Sequence, residues 1–330
     1  MINSLFVLIG TFIGAGFASG KEVFNFFSIF NLYSFLGIAL FSLLTFLVIF
    51  KVLQLKNQYN MSTYCDVLDY YDKKYQYFNP KIFLFLVNLF LVISFYIMVC
   101  ALCTLFYDKF FISKLLTVLI VSLICYIVFS KNDIHFIYSL NLLLIPVIII
   151  FIILLGIKNI SFNNLYLDVG SFPFACILKC LFYFSYNSLL IIPILFQLDI
   201  PKNKILIFSL AFSFIIFILM SILNLILLIN FNLICAKELP ILHISNLNGN
   251  VYSLLYFFIF LSAIITTLIS SGFAFCNNLI NNKKLKIVVF LLVSFIFSVI
   301  SFSSLINFFY TVLGLIGFIQ IFLILLSYNN

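Results

Sequence analysis

The residues best placed to do chemistry lie in the first apolar segment, which reads Gly10-Thr-Phe-Ile-Gly-Ala-Gly-Phe-Ala-Ser-Gly-Lys-Glu22. Its four glycines within eleven residues each cost about 1 kcal/mol relative to alanine in a helix, so we predict a discontinuous helix. Open backbone at membrane depth is tolerated where it is buried in protein or lines a cavity. Its free N–H groups can bind a carboxylate. The alternative is a continuous helix that packs closely through Gly16 and Gly20.

This segment is therefore predicted to bind a small solute through its backbone and one carboxylate. The candidate residues are Gly14, Ala15, Gly16, Phe17, Ala18, Ser19, Gly20 and Glu22. A charge near the bilayer centre costs at least about 2.5 kcal/mol, so intramembrane carboxylates usually serve a function. The alternative for Glu22 is a hydrated position near the outer interface, paired with Lys21.

A second polar cluster, Ser185-Tyr-Asn-Ser188, lies near the middle of the sixth apolar segment. Its side chains can bond backbone groups that an interrupted helix leaves open, and Pro193 removes one further helical hydrogen bond. We predict a second interruption here, with Tyr183, Tyr186 and Asn187 forming the other wall of the site. Lys179, a second charge within a span, either snorkels outward or faces an aqueous vestibule.

A third group lies in the eighth segment, where the Ala263 carbonyl and the hydroxyls of Thr266 and Thr267 fall on one helical face. Oxygen ligands of this kind suit a hard cation such as sodium. The alternative is that each hydroxyl bonds the carbonyl one turn earlier in its own helix.

The composition places these groups in an all-α integral membrane protein. The chain is 65% hydrophobic and 8% charged, with a mean hydropathy of +1.31, whereas soluble domains carry about 25% charged residues. We predict one transmembrane domain, 1–330, with repeat halves at about 1–158 and 159–330. About ten segments are long enough to cross the bilayer: 3–29, 32–53, 82–107, 113–130, 136–157, 172–197, 205–230, 251–275, 285–302 and 304–326.

The loop lysines set the predicted orientation. Eleven fall on the side of the N-terminus and four on the other, which places both termini in the cytoplasm. Two halves of five helices each must enter the membrane from opposite sides, as in inverted-repeat transporters. No lysine cluster with interleaved aromatic residues argues for nucleic acid, and no catalytic motif argues for an enzyme.

The stretch Gly10-Thr-Phe-Ile-Gly-Ala-Gly-Phe-Ala-Ser-Gly-Lys-Glu-Val-Phe-Asn-Phe-Phe27 resembles the first-helix signature of the YkvI-like family of predicted bacterial membrane proteins. The pair Tyr186-Asn187 resembles that family's sixth helix. These proteins look like distant members of the amino acid–polyamine–organocation superfamily. The resemblance implies a LeuT-type fold of five plus five helices with discontinuous helices 1 and 6.

The resemblance also implies a sodium site. In LeuT-type sodium symporters one ion lies between the broken first helix and an Ala-x-x-Thr-Ser/Thr stretch of the eighth. Ala263, Thr266 and Thr267 match that stretch, and the carbonyls of Gly10 and Ile13 are the partners by position. Where the family commonly shows glutamine before the glutamate, this chain has a lysine, which leaves the charge of the ligand open.

These observations predict a secondary transporter of an amino acid or related solute in the bacterial cell membrane. We expect sodium coupling, no other cofactor and no obligatory protein partner, so the partners are the solute and the lipid bilayer. The alternative is a ligand-sensing receptor subunit of the same fold that does not transport.

Overall fold

The structure is a computed structural model that describes residues 2–59, 61, 66, 80–131, 135–159, 174–196, 198–277, 283–297 and 300–326. Helices account for all the regular structure of these residues. Those of the first half are α1 (Ile2–Phe12), α2 (Ala15–Ala18), α3 (Lys21–Phe26), α4 (Tyr33–Tyr59), α5 (Pro80–Phe110), α6 (Lys114–Lys131) and α7 (His135–Asn159). Those of the second half are α8 (Phe174–Leu195), α9 (Ile205–Ile229), α10 (Phe231–Ile234), α11 (Pro240–Leu247), α12 (Asn250–Asn277), α13 (Lys283–Phe297) and α14 (Phe302–Leu326).

The chain is a multi-pass membrane protein, because six of its described helices are long and apolar enough to cross a bilayer. They contain the spans Tyr33–Tyr59, Asn88–Phe110, Phe174–Leu195, Lys202–Ile229, Asn250–Ile269 and Phe302–Phe322. The remaining predicted segments also coincide with helices, either shorter apolar ones in α6, α7 and α13 or the broken set α1–α3. The total of ten crossings, the two repeat halves and the sidedness stay predictions.

The sixth segment is one continuous helix, α8, so the predicted break at Ser185–Ser188 is wrong. The polar side chains bond carbonyls of their own helix. The Ser185 hydroxyl donates to Phe182 (3.0 Å), the Asn187 amide to Tyr183 (2.8 Å) and the Ser188 hydroxyl to Ser185 (2.6 Å). Because these donors are satisfied without unwinding, the polar cluster does not open the helix. Pro193 lies two residues before the end of α8 and does not interrupt it.

Two glycines of α14 allow it to pack closely on α8. A Cβ at Gly314 would lie 2.9 Å from the Phe182 carbonyl oxygen, and a Cβ at Gly317 would overlap the Ser185 carbonyl oxygen. Small residues at such crossings let helix backbones approach within a membrane. This approach fixes the position of Tyr310, one turn earlier on α14, against α8.

Replacing Gly317 by alanine is expected to destabilise the protein by about 2 kcal/mol, because the added methyl group forces α14 away from α8. The measurement is the melting temperature of the purified protein in detergent. Gly14→Ala is the matched control, since a Cβ there meets nothing within 4 Å. Equal melting temperatures for the two variants would contradict the close packing of α8 and α14.

Candidate functional site

The first helix is interrupted at the predicted glycines. Its first part ends at Phe12, and Gly14 is extended, with φ −81° and ψ 178°. The Gly14 N–H donates to the Phe12 carbonyl oxygen at 2.9 Å rather than continuing the helical pattern. Among the described residues, no backbone donor reaches the carbonyl oxygens of Gly10 and Ile13. The break therefore exposes two oxygen acceptors that a continuous helix would use internally.

A second interruption follows at Ser19 and Gly20. Gly20 adopts a left-handed conformation (φ 77°), which favours glycine, and a Cβ there would lie 2.7 Å from Ile241 Cγ1. Two neighbouring helices bind the open backbone. The Ile241 N–H of α11 donates to the Ser19 carbonyl at 3.1 Å, and the Tyr256 hydroxyl of α12 donates to the Ala18 carbonyl at 2.9 Å. This second break thus anchors α2 to the second half of the chain.

A cavity of about 520 Å³ lies beside the first break. Its wall is formed by α1, α2, α3, α5, α7, α8, α12 and α14. It extends to Leu198, whose carbonyl oxygen accepts a hydrogen bond from the Lys56 ammonium group near the end of α4 (2.6 Å). This volume is in the range of sites for small organic ligands.

Glu22 lines this cavity and is only 3% exposed. Its Oε2 atom accepts a hydrogen bond from the Tyr183 hydroxyl at 3.1 Å, and the Tyr310 hydroxyl faces the same carboxylate. The side chain fits because residue 16 has no Cβ, since one there would overlap Glu22 Oε1. The alternative pairing with Lys21 is not present, because the Lys21 ammonium group bonds the Lys237 carbonyl oxygen.

The ammonium groups of Lys21 and Lys179 bind elsewhere and do not line the cavity. The Lys21 ammonium group donates to the Lys237 carbonyl oxygen at 2.8 Å. That of Lys179 donates to the Asn25 carbonyl at 3.3 Å and lies 5.4 Å from the ring centre of Phe26. Among the described residues that line the cavity, Glu22 is therefore the one with a charged side chain.

The predicted cation ligands lie on the same cavity. Ala263, Thr266 and Thr267 line it from α12, and Gly10 and Ile13 line it from the broken first helix. Both threonine hydroxyls donate to the Ala263 carbonyl oxygen, at 3.1 and 2.9 Å. These are the bonds within the helix that the alternative to a sodium site predicted. A donating hydroxyl keeps lone pairs, so the set offers oxygens alone, as a hard cation requires. The described residues contain no group of three or more His, Cys, Asp or Glu side chains able to hold a metal ion.

The structure separates the predicted solute residues into two groups. Those that line the cavity are Gly14, Ala15, Gly16, Glu22 and Tyr186. Those that do not are Phe17, Ala18, Ser19, Gly20, Tyr183 and Asn187. Several of the second group hold the walls in place. Tyr183 donates to Glu22, Asn187 donates to a carbonyl of α8, and the carbonyls of Ala18 and Ser19 bind α12 and α11.

Sequence reasoning missed Tyr310. Its ring stacks on that of Tyr186, with ring centres 4.1 Å apart and planes inclined by 17°, and it lines the cavity beside Glu22. A single tyrosine in an apolar segment gives no local signal of a site, even with Asn307 and Thr311 close to it in the sequence. Its role depends on the close crossing of α14 and α8.

No protein-family model matches the chain, and no curated protein matches it. Its fold is similar to that of a membrane transporter, the manganese transporter of Eremococcus coleocola. A crystal structure of one variant gives a TM-score of 0.65 at 19% identity, covering 98% of this chain and 77% of that one. The same transporter with an aromatic bis-isothiourea substituted compound gives 0.57 at 18% identity, with the same coverage.

Proposed function

We propose that this protein is a secondary transporter of a small organic solute, an amino acid or a related compound, coupled to sodium. The observation that carries the proposal is the cavity at the broken first helix, which brings Glu22 and the five predicted sodium ligands to one site. The similarity of fold to a membrane transporter supports it. A manganese substrate is not proposed, because the described residues offer no cluster of metal-ligating side chains.

In this proposal each wall of the cavity has a separate task. The open backbone at Gly14–Gly16 and the rings of Tyr186 and Tyr310 hold the solute. The Glu22 carboxylate determines which charge the bound solute can carry. The carbonyls of Gly10 and Ile13 would hold the sodium ion together with Ala263, Thr266 and Thr267, which line the same cavity. Binding both ligands at one break couples them, because each stabilises the same arrangement of α1 and α2.

The ends of the cavity suggest how access alternates. Towards Leu198 the cavity continues along the bundle. At the other end, bonds from Ile241, Tyr256 and the Lys21 ammonium group tie the break to the second half of the chain. Transport would open these contacts and close the Leu198 end by rocking one helix group against the other. We further propose the LeuT-type arrangement of five plus five helices and a place in the bacterial cell membrane with both termini cytoplasmic.

The test is uptake by proteoliposomes that contain the full chain. Labelled amino acids and amines are supplied with an inward sodium gradient, and choline replaces sodium in the control. We expect at least one solute to accumulate only with the gradient. If no solute accumulates while a known transporter works in the same liposomes, the transport proposal is wrong, and saturable binding without uptake would favour the receptor alternative.

Asn187→Ala is expected to leave the affinity for the accumulated solute unchanged within about twofold, because its amide bonds the Tyr183 carbonyl and does not line the cavity. Tyr310→Phe, which removes the hydroxyl that faces Glu22, is expected to weaken binding about fivefold, the effect of one hydrogen bond. The measurement is the half-saturation concentration for uptake. The reverse order of effects would place the solute on the Asn187 face of α8.

A further inference from the structure

We propose that Glu22 binds an ammonium group of the solute, so that the substrate class is organic amines with an apolar body. The inference rests on the proposed transport function and specifies its substrate. It comes from the charge and lining of the cavity described above.

The charge of the cavity selects a cation. Glu22 is buried, and its partners are the hydroxyl groups of Tyr183 and Tyr310, which carry no positive charge. Lys21 and Lys179 direct their ammonium groups to backbone carbonyls elsewhere. A carboxylate in a low-dielectric site is costly unless a cation or several donors neutralise it. A bound ammonium group would supply the missing positive charge.

The Glu22 carboxylate retains room for this ligand. An ionised carboxylate has about four acceptor positions, and the protein fills part of them with the hydroxyls of Tyr183 and Tyr310. Residue 16 is a glycine whose missing Cβ lets the carboxylate lie against the break. An ammonium group has three donors, so it can bond Glu22 together with the hydroxyl oxygen of Tyr186 or Tyr310 and leave the open carbonyls of the break to the sodium ion.

The surrounding side chains fit a cation with an apolar body. The stacked rings of Tyr186 and Tyr310 lie beside Glu22, and aromatic faces attract ammonium groups. The cavity continues along Phe90, Met98, Leu190 and Ile194 towards Leu198. A neutral alcohol of the same shape would fill this apolar part and leave Glu22 without a counter-charge.

The test compares ligands that share a body and differ in one group. The purified full chain in detergent is titrated with phenethylamine, phenylalanine, phenethyl alcohol and 3-phenylpropionate, and with the corresponding series on an isopentyl body. Binding is measured by calorimetry and by the shift in melting temperature. We expect the amine to bind at least about tenfold more tightly than the alcohol of the same body, the effect of a charge-assisted bond, and no binding of the carboxylate.

Glu22→Gln is expected to remove the preference for the amine over the alcohol. Asp199→Asn is the control for the loss of one negative charge, since its carboxylate is fully exposed and does not line the cavity, although the neighbouring Leu198 does. Because the ligand comparison uses the unmodified protein, it gives a result even if the Glu22 variant does not fold.

The outcomes separate this inference from the proposed function. If the amine and the alcohol bind equally, amine recognition is wrong and the transport proposal stands. The same holds if amino acids accumulate in liposomes and neither amine competes with them. Failure of every amine and amino acid to bind or accumulate overturns the transport proposal and this inference with it.

Discussion

Replacing Gly16 by alanine is expected to abolish solute uptake, with binding weakened about 100-fold or more. An alanine Cβ would overlap Glu22 Oε1 and lie 2.5 Å from Glu22 Cδ. The carboxylate must then leave its position beside the break and lose the bond from Tyr183, which strands a buried polar group. The substitution also pushes Glu22 into the space that the solute would occupy. Uptake by proteoliposomes and direct binding measure the two effects.

Gly14→Ala is the control within the same segment. A Cβ at Gly14 meets nothing within 4 Å, and its backbone conformation is open to alanine. This variant should lose much less uptake than Gly16→Ala, because the added methyl group meets no protein atom and leaves Glu22 in place. Similar losses in both variants would mean that the segment needs glycine for its flexibility, and not for the contact between residue 16 and Glu22.

The double variant Thr266→Val and Thr267→Val is expected to raise the sodium concentration for half-maximal uptake about tenfold or more. Valine keeps the shape of threonine and removes the hydroxyl oxygen that faces the cavity. The loss of two ligands from an oxygen-only site weakens the binding of a hard cation more than it weakens the binding of the organic solute. The measurement is the sodium dependence of initial uptake at a saturating solute concentration.

Thr311→Val is the matched control, because its hydroxyl also donates to a carbonyl one turn earlier, that of Asn307, but does not line the cavity. It should leave the sodium dependence unchanged. If the double variant behaves as this control does, the threonines serve only their own helix and the sodium site lies elsewhere.

The first break could be predicted from the sequence because its cause is local. Glycines at 10, 14, 16 and 20 lower the stability of one helix whatever packs against it, and the structure opens the backbone within that stretch. The prediction that Gly10, Ile13 and Ala263 lie at one site came from the resemblance to a transporter superfamily. The structure brings these residues to one cavity.

The sixth segment shows where local reasoning fails. Serine and asparagine side chains can bond the backbone in either an open or a continuous helix, so their presence at Ser185–Ser188 does not decide between the two. The structure adopts the continuous form. Tyr310 and the contact of Gly16 with Glu22 depend on how distant segments cross, which has no periodic signal in the sequence.

The central claim is that the solute binds at the break of the first helix, between Gly16, Glu22 and the stacked tyrosines. The most direct measurement is an experimental structure of the full chain with the solute identified by uptake. The claim predicts ligand density in the cavity that contacts Glu22, Tyr186 and the backbone at Gly14–Gly16. Ligand density elsewhere with this cavity unfilled, or a continuous helix through Gly14, would contradict it.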